Sequence, residues 1–259
     1  MPAQVRLLSA GLSDVGRKRT HNEDSFALVE SENLYLVADG MGGHSSGEVA
    51  SRMAIETMAE FFAATSADPE ATWPYKMDKA RGYDENRLVT GIKLANRRIY
   101  EAAQRETRLH GMGTTMVALL AVRDAMLIGH VGDSRVYRIR NGVLEQLTED
   151  HSLLNDYIKM KSMTPEEIES FPHKNVIVRA LGMKETVKVD AILDTPKPGD
   201  LYLLCSDGLC GPASDEEIKE IVLKHKDLRE TAQALIDRAN EHGGPDNVTV
   251  VLCRWIGSS

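Results

Sequence analysis

The run Leu34-Tyr35-Leu36-Val37-Ala38 stops abruptly at Asp39, and the glycine-rich turn Gly40-Met41-Gly42-Gly43-His44 follows. An apolar run of this length bounded by glycines reads as a strand buried on both faces that delivers one carboxylate to a sheet edge. The segment Leu201-Tyr202-Leu203-Leu204-Cys205-Ser206-Asp207-Gly208 repeats the pattern. Asp246-Asn247 stands immediately before the apolar run 248–255, Glu23-Asp24 stands before the run 25–30, and Asp133 follows Leu127-Ile128-Gly129-His130-Val131-Gly132. Each of these sites, taken singly, fits an ordinary turn. Five acidic sites at strand ends make a different proposition. Unpaired carboxylates gathered on one rim repel strongly, so their convergence makes sense only where cations bind. Carboxylate and bare carbonyl oxygens suit Mg2+ or Mn2+, whereas zinc would call for an H-E-x-x-H motif or a Cys/His cluster, and the sequence has neither.

The elements that must position these residues alternate in period along the chain. A first strand is expected over 5–13, a pair of strands over 25–30 and 33–38, and Ser45 with Glu48 offers a capping box for a helix running to about Thr65. Ala50, Ala54, Met58 and Phe61 share one face of that helix. The connection 66–84 is polar, but Trp73-Pro74-Tyr75 suggests that it packs down on the body. Leu88, Ile92, Ala95, Ile99 and Ala102 mark a second long amphipathic helix. The period then switches to two, with strands at 114–122, 125–131, 135–140 and 143–147 and a hairpin turn at Asn141-Gly142. Residues 150–174 are polar and helical in character, with Thr164 as N-cap, Pro165 at the first helical position and Glu167 three residues on. Interrupting two strand regions, they read as a small flap subdomain over about 150–175 within one domain spanning 1–259. Strands are expected again at 176–181, 187–193 and 201–205, helices from about Asp215 and Leu228, and a last strand at 248–255. Blocks of strands separated by blocks of helices imply an α+β fold with mainly antiparallel sheets.

Composition narrows the function classes. At 259 residues, with 42% hydrophobic and 27% charged residues, the chain can bury a large core and shows no low-complexity tract or internal repeat. A net charge of -8 argues against binding nucleic acid or an anionic membrane surface, because the long-range field repels phosphate backbones. Any phosphate the protein handles must be neutralised locally. The longest apolar segment, 116–122, is far too short to span a bilayer, and no secretory apolar region opens the sequence, so a cytoplasmic location is expected. Cys205, Cys210 and Cys253 are odd in number and lack C-x-x-C spacing, which fits reduced thiols serving as small core residues.

In order along the chain stand Arg19-Thr20-His21-Asn22-Glu23-Asp24, Asp39-Gly40-Met41-Gly42-Gly43-His44, Gly111-Met112-Gly113-Thr114-Thr115, Gly132-Asp133-Ser134-Arg135, Ser206-Asp207-Gly208 and Asp246-Asn247. Together they resemble the metal-dependent, type 2C-like protein serine/threonine phosphatases in their bacterial form, over nearly the whole chain. The resemblance implies a four-layer α-β-β-α sandwich of two antiparallel sheets flanked by helices. It also implies two Mn2+ or Mg2+ ions at one edge and a weaker third. By that resemblance Asp39 bridges the two ions, the Gly40 carbonyl binds the first, and Asp207 and Asp246 bind the second. Glu23 holds the site directly or through water, Asp24 supports the ligands from behind, Asp133 completes the third site with Asp207, and Arg19 binds phosphate. The implied reaction is hydrolysis of phosphoserine and phosphothreonine in proteins by a water activated between two metals, without a covalent phosphoenzyme. Some relatives carry a histidine directly after the Asp-Gly pair where this chain has Met41, so His44 and metal-bound water are both candidates for protonating the leaving group. Expected partners are phosphorylated proteins, substrates of serine/threonine kinases, met by a monomer. Two alternatives stand beside this reading: a metal-dependent hydrolase of small phosphate esters, and a pseudophosphatase that binds phosphoproteins without turning them over.

Overall fold

The computed structural model describes residues 5–42, 46–68, 71–161, 163–164, 167–168, 171 and 176–258. Two antiparallel sheets stack face to face. One has the order β1-β11-β10-β7-β8, formed by Val5–Asp14, Val248–Ser258, Leu201–Cys205, Arg135–Arg140 and Val143–Gln146. The other has the order β2-β3-β5-β6-β9, formed by Asp24–Val29, Leu34–Met41, Met116–Val122, Ala125–Val131 and Asp190–Asp194, with the short β4, Gly113–Thr114, paired to the end of β3. Helices α1, Ser46–Ala67, and α2, Tyr83–Arg105, cover the outer face of the second sheet. Helix α3 spans Leu153–Met160 and α4 is the single turn Asp207–Cys210. Helices α5, Asp215–Lys224, and α6, Leu228–Glu241, cover the outer face of the first sheet.

The two-residue period of the strands produces this layering directly. On β3, Leu34, Leu36 and Ala38 face α1 and α2, whereas Tyr35 and Val37 face the other sheet. On β10, Leu201, Leu203 and Cys205 face α5 and α6, while Tyr202 and Leu204 join Val251, Cys253 and Trp255 between the sheets. These strands are buried on both faces, and each large side chain so buried contributes about 1.5–3 kcal/mol. Local signals behave as their chemistry requires. Asn141 and Gly142 both take positive φ, 52° and 75°, closing the β7–β8 hairpin as a type I′ turn. Ser214 and Glu217 form a reciprocal capping box at α5, and Thr164 and Glu167 exchange the same pair of hydrogen bonds. The connection before α2 packs down through Trp73, whose ring meets Phe61 at 5.8 Å and Tyr83 at 5.1 Å.

Three expectations are corrected. Residues 176–181 are not a strand: the segment makes only isolated bridges, Ser152 with Ile177 and Thr114 with Leu181. Its Val-Ile-Val run has strand propensity, but Val176 and Val178 face solvent and no neighbouring strand lies alongside them among the described residues. The strand expected from 187 begins only at Asp190, where pairing with β6 starts. The Asp-Gly pair after β10 is the first turn of α4, not a free turn. Ser45 lies outside the described residues, so its cap does too. No described helix is long and apolar enough to cross a membrane.

Candidate functional site

Strand register brings the acidic residues to one end of the sandwich. Asp24, at the start of β2, stands opposite Asp39, near the end of β3. Because β3, β5 and β6 run antiparallel in turn, the loop after β6 that carries Asp133 emerges at the same end. In the facing sheet, Cys205 at the end of β10 pairs with Val250 near the start of β11 and with Arg135 at the start of β7, so Asp207, Asp246 and Asp133 gather there as well.

Backbone approach at this rim depends on two glycines. A Cβ on Gly40 would lie 2.2 Å from the Gly47 carbonyl oxygen and 2.5 Å from that of Glu23, and one on Gly208 would lie 1.9 Å from the carbonyl oxygen of Asn247. Any side chain at either position would force the β3 end and the α1 start apart, or α4 away from β11. Asp39 is held by its own backbone: its N–H donates to Thr115 Oγ1 at 3.0 Å, and its carbonyl accepts from Thr114 Oγ1 at 2.8 Å and from the Thr115 N–H at 2.9 Å. The Gly40 N–H donates to the Glu23 carbonyl at 3.1 Å, tying β3 to the residue before β2.

The electrostatics are those of a crowded acidic site. Burial, and then the neighbouring carboxylates of Asp24, Asp207, Asp133 and Asp246, raise Asp39 well above the usual carboxylate range. Burial pushes Asp24 up to about 7, against the hydrogen bond it accepts from Ser206 Oγ at 2.8 Å. Asp133 is also pushed up to about 7, by burial and then by Asp207 and Asp150. Asp207 is raised by burial and by Asp246, with Asp39 and the Arg19 and Arg135 guanidiniums pulling the other way, and Glu23 is raised by burial despite the nearby guanidinium of Arg19. Arg19 supplies positive charge here: its Nη2 donates to Asp246 Oδ2 at 2.7 Å, which raises its own pKa, and about half of its side chain remains exposed.

Arg19, Glu23, Asp24, Asp39, Gly40, Asp133, Asp207 and Asp246 therefore stand at one rim, whereas His44 lies outside the described residues. The carboxylates are not assembled into a finished cage. No group of three His, Cys, Asp or Glu side chains among the described residues is disposed to chelate an ion. Asp246 is turned to Arg19. The residues present nonetheless fit a hard divalent cation: the donors are all oxygens, and like charges raise one another. Asp133 Oδ1 is moreover buried with no hydrogen-bond partner, which leaves it open to a cation.

Several supporting residues escaped the reading from sequence. Asn247 accepts from the Glu23 N–H at 2.8 Å and donates to the carbonyls of Val15 and His21, so it fastens the Arg19 loop to the start of β11. Ser206 joins Asp24 to the Thr249 N–H. Ser134 Oγ meets Thr115 Oγ1 at 2.7 Å, linking the Asp133 loop to Asp39. All three belong to the motifs that carry the family resemblance, but their hydrogen-bonding roles emerge only from the fold.

Comparison with known proteins gives a consistent result. The family model described as protein phosphatase 2C matches residues 15–252. The serine/threonine phosphatase stp of Listeria monocytogenes is 38% identical over 247 residues, covering 93% of this chain and 92% of its own. The crystal structure of the serine/threonine phosphatase PstP/Ppp of Mycobacterium tuberculosis superposes with a TM-score of 0.84 at 38% identity, covering 96% of this chain and 99% of that one. A structure of the catalytic domain of PstP in complex with two manganese ions gives a TM-score of 0.81 at 37% identity, covering 96% and 98%.

Proposed function

Because the chain belongs to the protein phosphatase 2C family, we propose that it is a serine/threonine phosphatase that hydrolyses phosphoserine and phosphothreonine in proteins with Mn2+ or Mg2+ held at the acidic rim. The observation that carries the proposal is the arrival of five acidic sites from separate strands at one end of the sandwich, with the Arg19 guanidinium among them. Asp39 and the Gly40 carbonyl would hold one ion, Asp39, Asp207 and Asp246 a second, with Glu23 alongside, and Asp133 with Asp207 a weaker third. Bound there, the ions would lower the pKa of a water and neutralise phosphoryl oxygens.

The chain's own groups do the rest. Arg19, exposed and charged, reaches from the rim to pair with phosphoryl oxygens, for which a guanidinium offers a matched pair of donors. Asp24 stays behind the ligands, its Oδ2 accepting from Ser206, and so fixes the start of β2 against α4. Thr114 and Thr115 hold the Asp39 backbone so that its carboxylate projects to the rim. The thiols of Cys205 and Cys253 are buried in sheet layers, which supports direct attack by water over a thiol nucleophile.

Two substitutions test the assignment. Asp39→Asn should weaken Mn2+ binding about 10- to 100-fold and lower turnover of a phosphopeptide by at least as much. Arg19→Ala should leave Mn2+ binding in place and raise KM about tenfold through the lost charged hydrogen bond. Near wild-type behaviour of both variants would show the site to be misplaced.

A further inference from the structure

The loop that carries Asp133 is gripped from outside the acidic rim. Gly132, just before it, has φ of 112° and sits so close to Thr115 that an added Cβ would lie 2.6 Å from the Thr115 side chain. Its peptide groups are fully engaged by two histidines. The Gly132 N–H donates to His151 Nδ1 at 3.0 Å, while the Gly132 carbonyl accepts from the His151 N–H at 2.8 Å and from His130 Nε2 at 2.9 Å. The two imidazoles stack with centroids 4.3 Å apart, and both are buried.

Proton placement follows from these partners. Since His151 Nδ1 accepts from a backbone amide, its Nε2 carries the hydrogen and donates to Asp190 Oδ2 at 2.9 Å. Arg179 Nη1, 2.8 Å from the same Nε2, cannot donate to a nitrogen that already bears hydrogen; its electrostatic partner is Asp190 Oδ2 at 3.1 Å. Burial holds both imidazoles toward their neutral forms, His130 down to about 3. His151 is also where the α3 excursion leaves and rejoins the body. The Val178 N–H donates to the His151 carbonyl at 2.9 Å, and the Leu153 N–H donates to the Val176 carbonyl at 2.8 Å.

We infer that His151 is a positioning residue: by clamping Gly132 through Nδ1 and its own N–H, it sets the Asp133 carboxylate and couples that carboxylate to the base of the α3 excursion. The inference rests on the proposed role of Asp133 at the weaker cation site. On the far side the loop is tied to Asp39 through Ser134 and Thr115. Asp133 is thus held between the base of the excursion and the central carboxylate.

Isosteric variants separate the clamp from mere packing. Asparagine places its Oδ1 where His151 has Nδ1, and so can still accept from the Gly132 N–H. Glutamine places its amide where His151 has Nε2, keeping only the Asp190 contact. His151→Asn should therefore retain hydrogen-exchange protection of the Gly132 amide and the weakest Mn2+ binding event in calorimetry. His151→Gln should lose that protection and weaken the event about tenfold or more, with the tighter binding unchanged. Phosphopeptide turnover should follow the same order. If Asn and Gln variants lose protection, binding and turnover together in step with melting temperature, the inference is overturned, as it is if neither differs from wild type. Should His151→Gln fail to fold, Asp190→Ala tests the clamp from its other side and should raise exchange at Gly132; unchanged exchange there overturns it too. Wild-type protein that binds no Mn2+ refutes the metal reading, while the Gly132 amide still decides the clamp.

Discussion

Replacing Asp133 by asparagine should make the metal-free protein more stable. The Asp133 carboxyl is 8% exposed and pushed from 3.8 up to about 7 by burial and by the charges of Asp207 and Asp150. At about 1.36 kcal/mol per pH unit, that rise sets an upper bound near 4 kcal/mol on the cost of keeping it ionised. Relaxation and water entry bring the realistic figure to about 2 kcal/mol. The sign follows from proton counting. Between the unfolded and folded values the native protein holds a proton that the unfolded chain has lost, so stability falls as pH rises from about 4 to about 7 and the penalty is complete above that. The neutral amide of the variant carries no such penalty. Urea denaturation in EDTA should show Asp133→Asn ahead by about 2 kcal/mol near pH 8 and level with wild type near pH 4. Adding Mn2+ should narrow or reverse the gap, since wild type would gain more from the ion. Equal stability at pH 8, or a variant less stable there, would refute the view that this carboxylate is held at a cost and would return it to the role of a turn residue paired with its neighbours.

Gly40→Ala should lower stability by more than about 2 kcal/mol and abolish phosphopeptide turnover, because its Cβ would collide with backbone on both sides; a fully active, equally stable variant would mean that the rim is looser than its geometry. The cysteines should be dispensable. Cys205 and Cys253 are buried, and the Cys210 thiol is pushed well up, first by its contact with Cys205. Single Cys→Ser variants should therefore stay within about threefold of wild-type rate, and abolished turnover in a folded, metal-binding variant would require a thiol nucleophile to be reconsidered.

Much of the rim was legible because its residues sit where a period of two ends. Asp39 and Asp207 each follow an apolar run whose alternate residues go to different layers, and Asp246 and Glu23 each precede one. Such positions can be read without knowing which strands pair. Residues 176–181 were misread for the complementary reason: β-branched residues give strand propensity, but a ladder needs a neighbour, and none lies there among the described residues. His151 was invisible for a third reason. Its imidazole acts on the backbone of a glycine nineteen positions earlier, and that glycine has no side chain to mark the contact. Asn247 and Ser206 work in the same way, by closing backbone groups of the loops that carry the acids.

Metal-dependent hydrolysis of phosphoproteins is decided by following a phosphothreonine peptide beside a simple aryl phosphate, first after exhaustive chelation and then after adding back Mn2+ or Mg2+. Turnover of both should vanish in EDTA and return with either ion, and the peptide should be the better substrate by kcat/KM. Undiminished peptide hydrolysis in the chelated protein would contradict the metal site, and metal-dependent cleavage of the aryl phosphate with the peptide left intact would contradict the assignment of phosphoproteins as substrates.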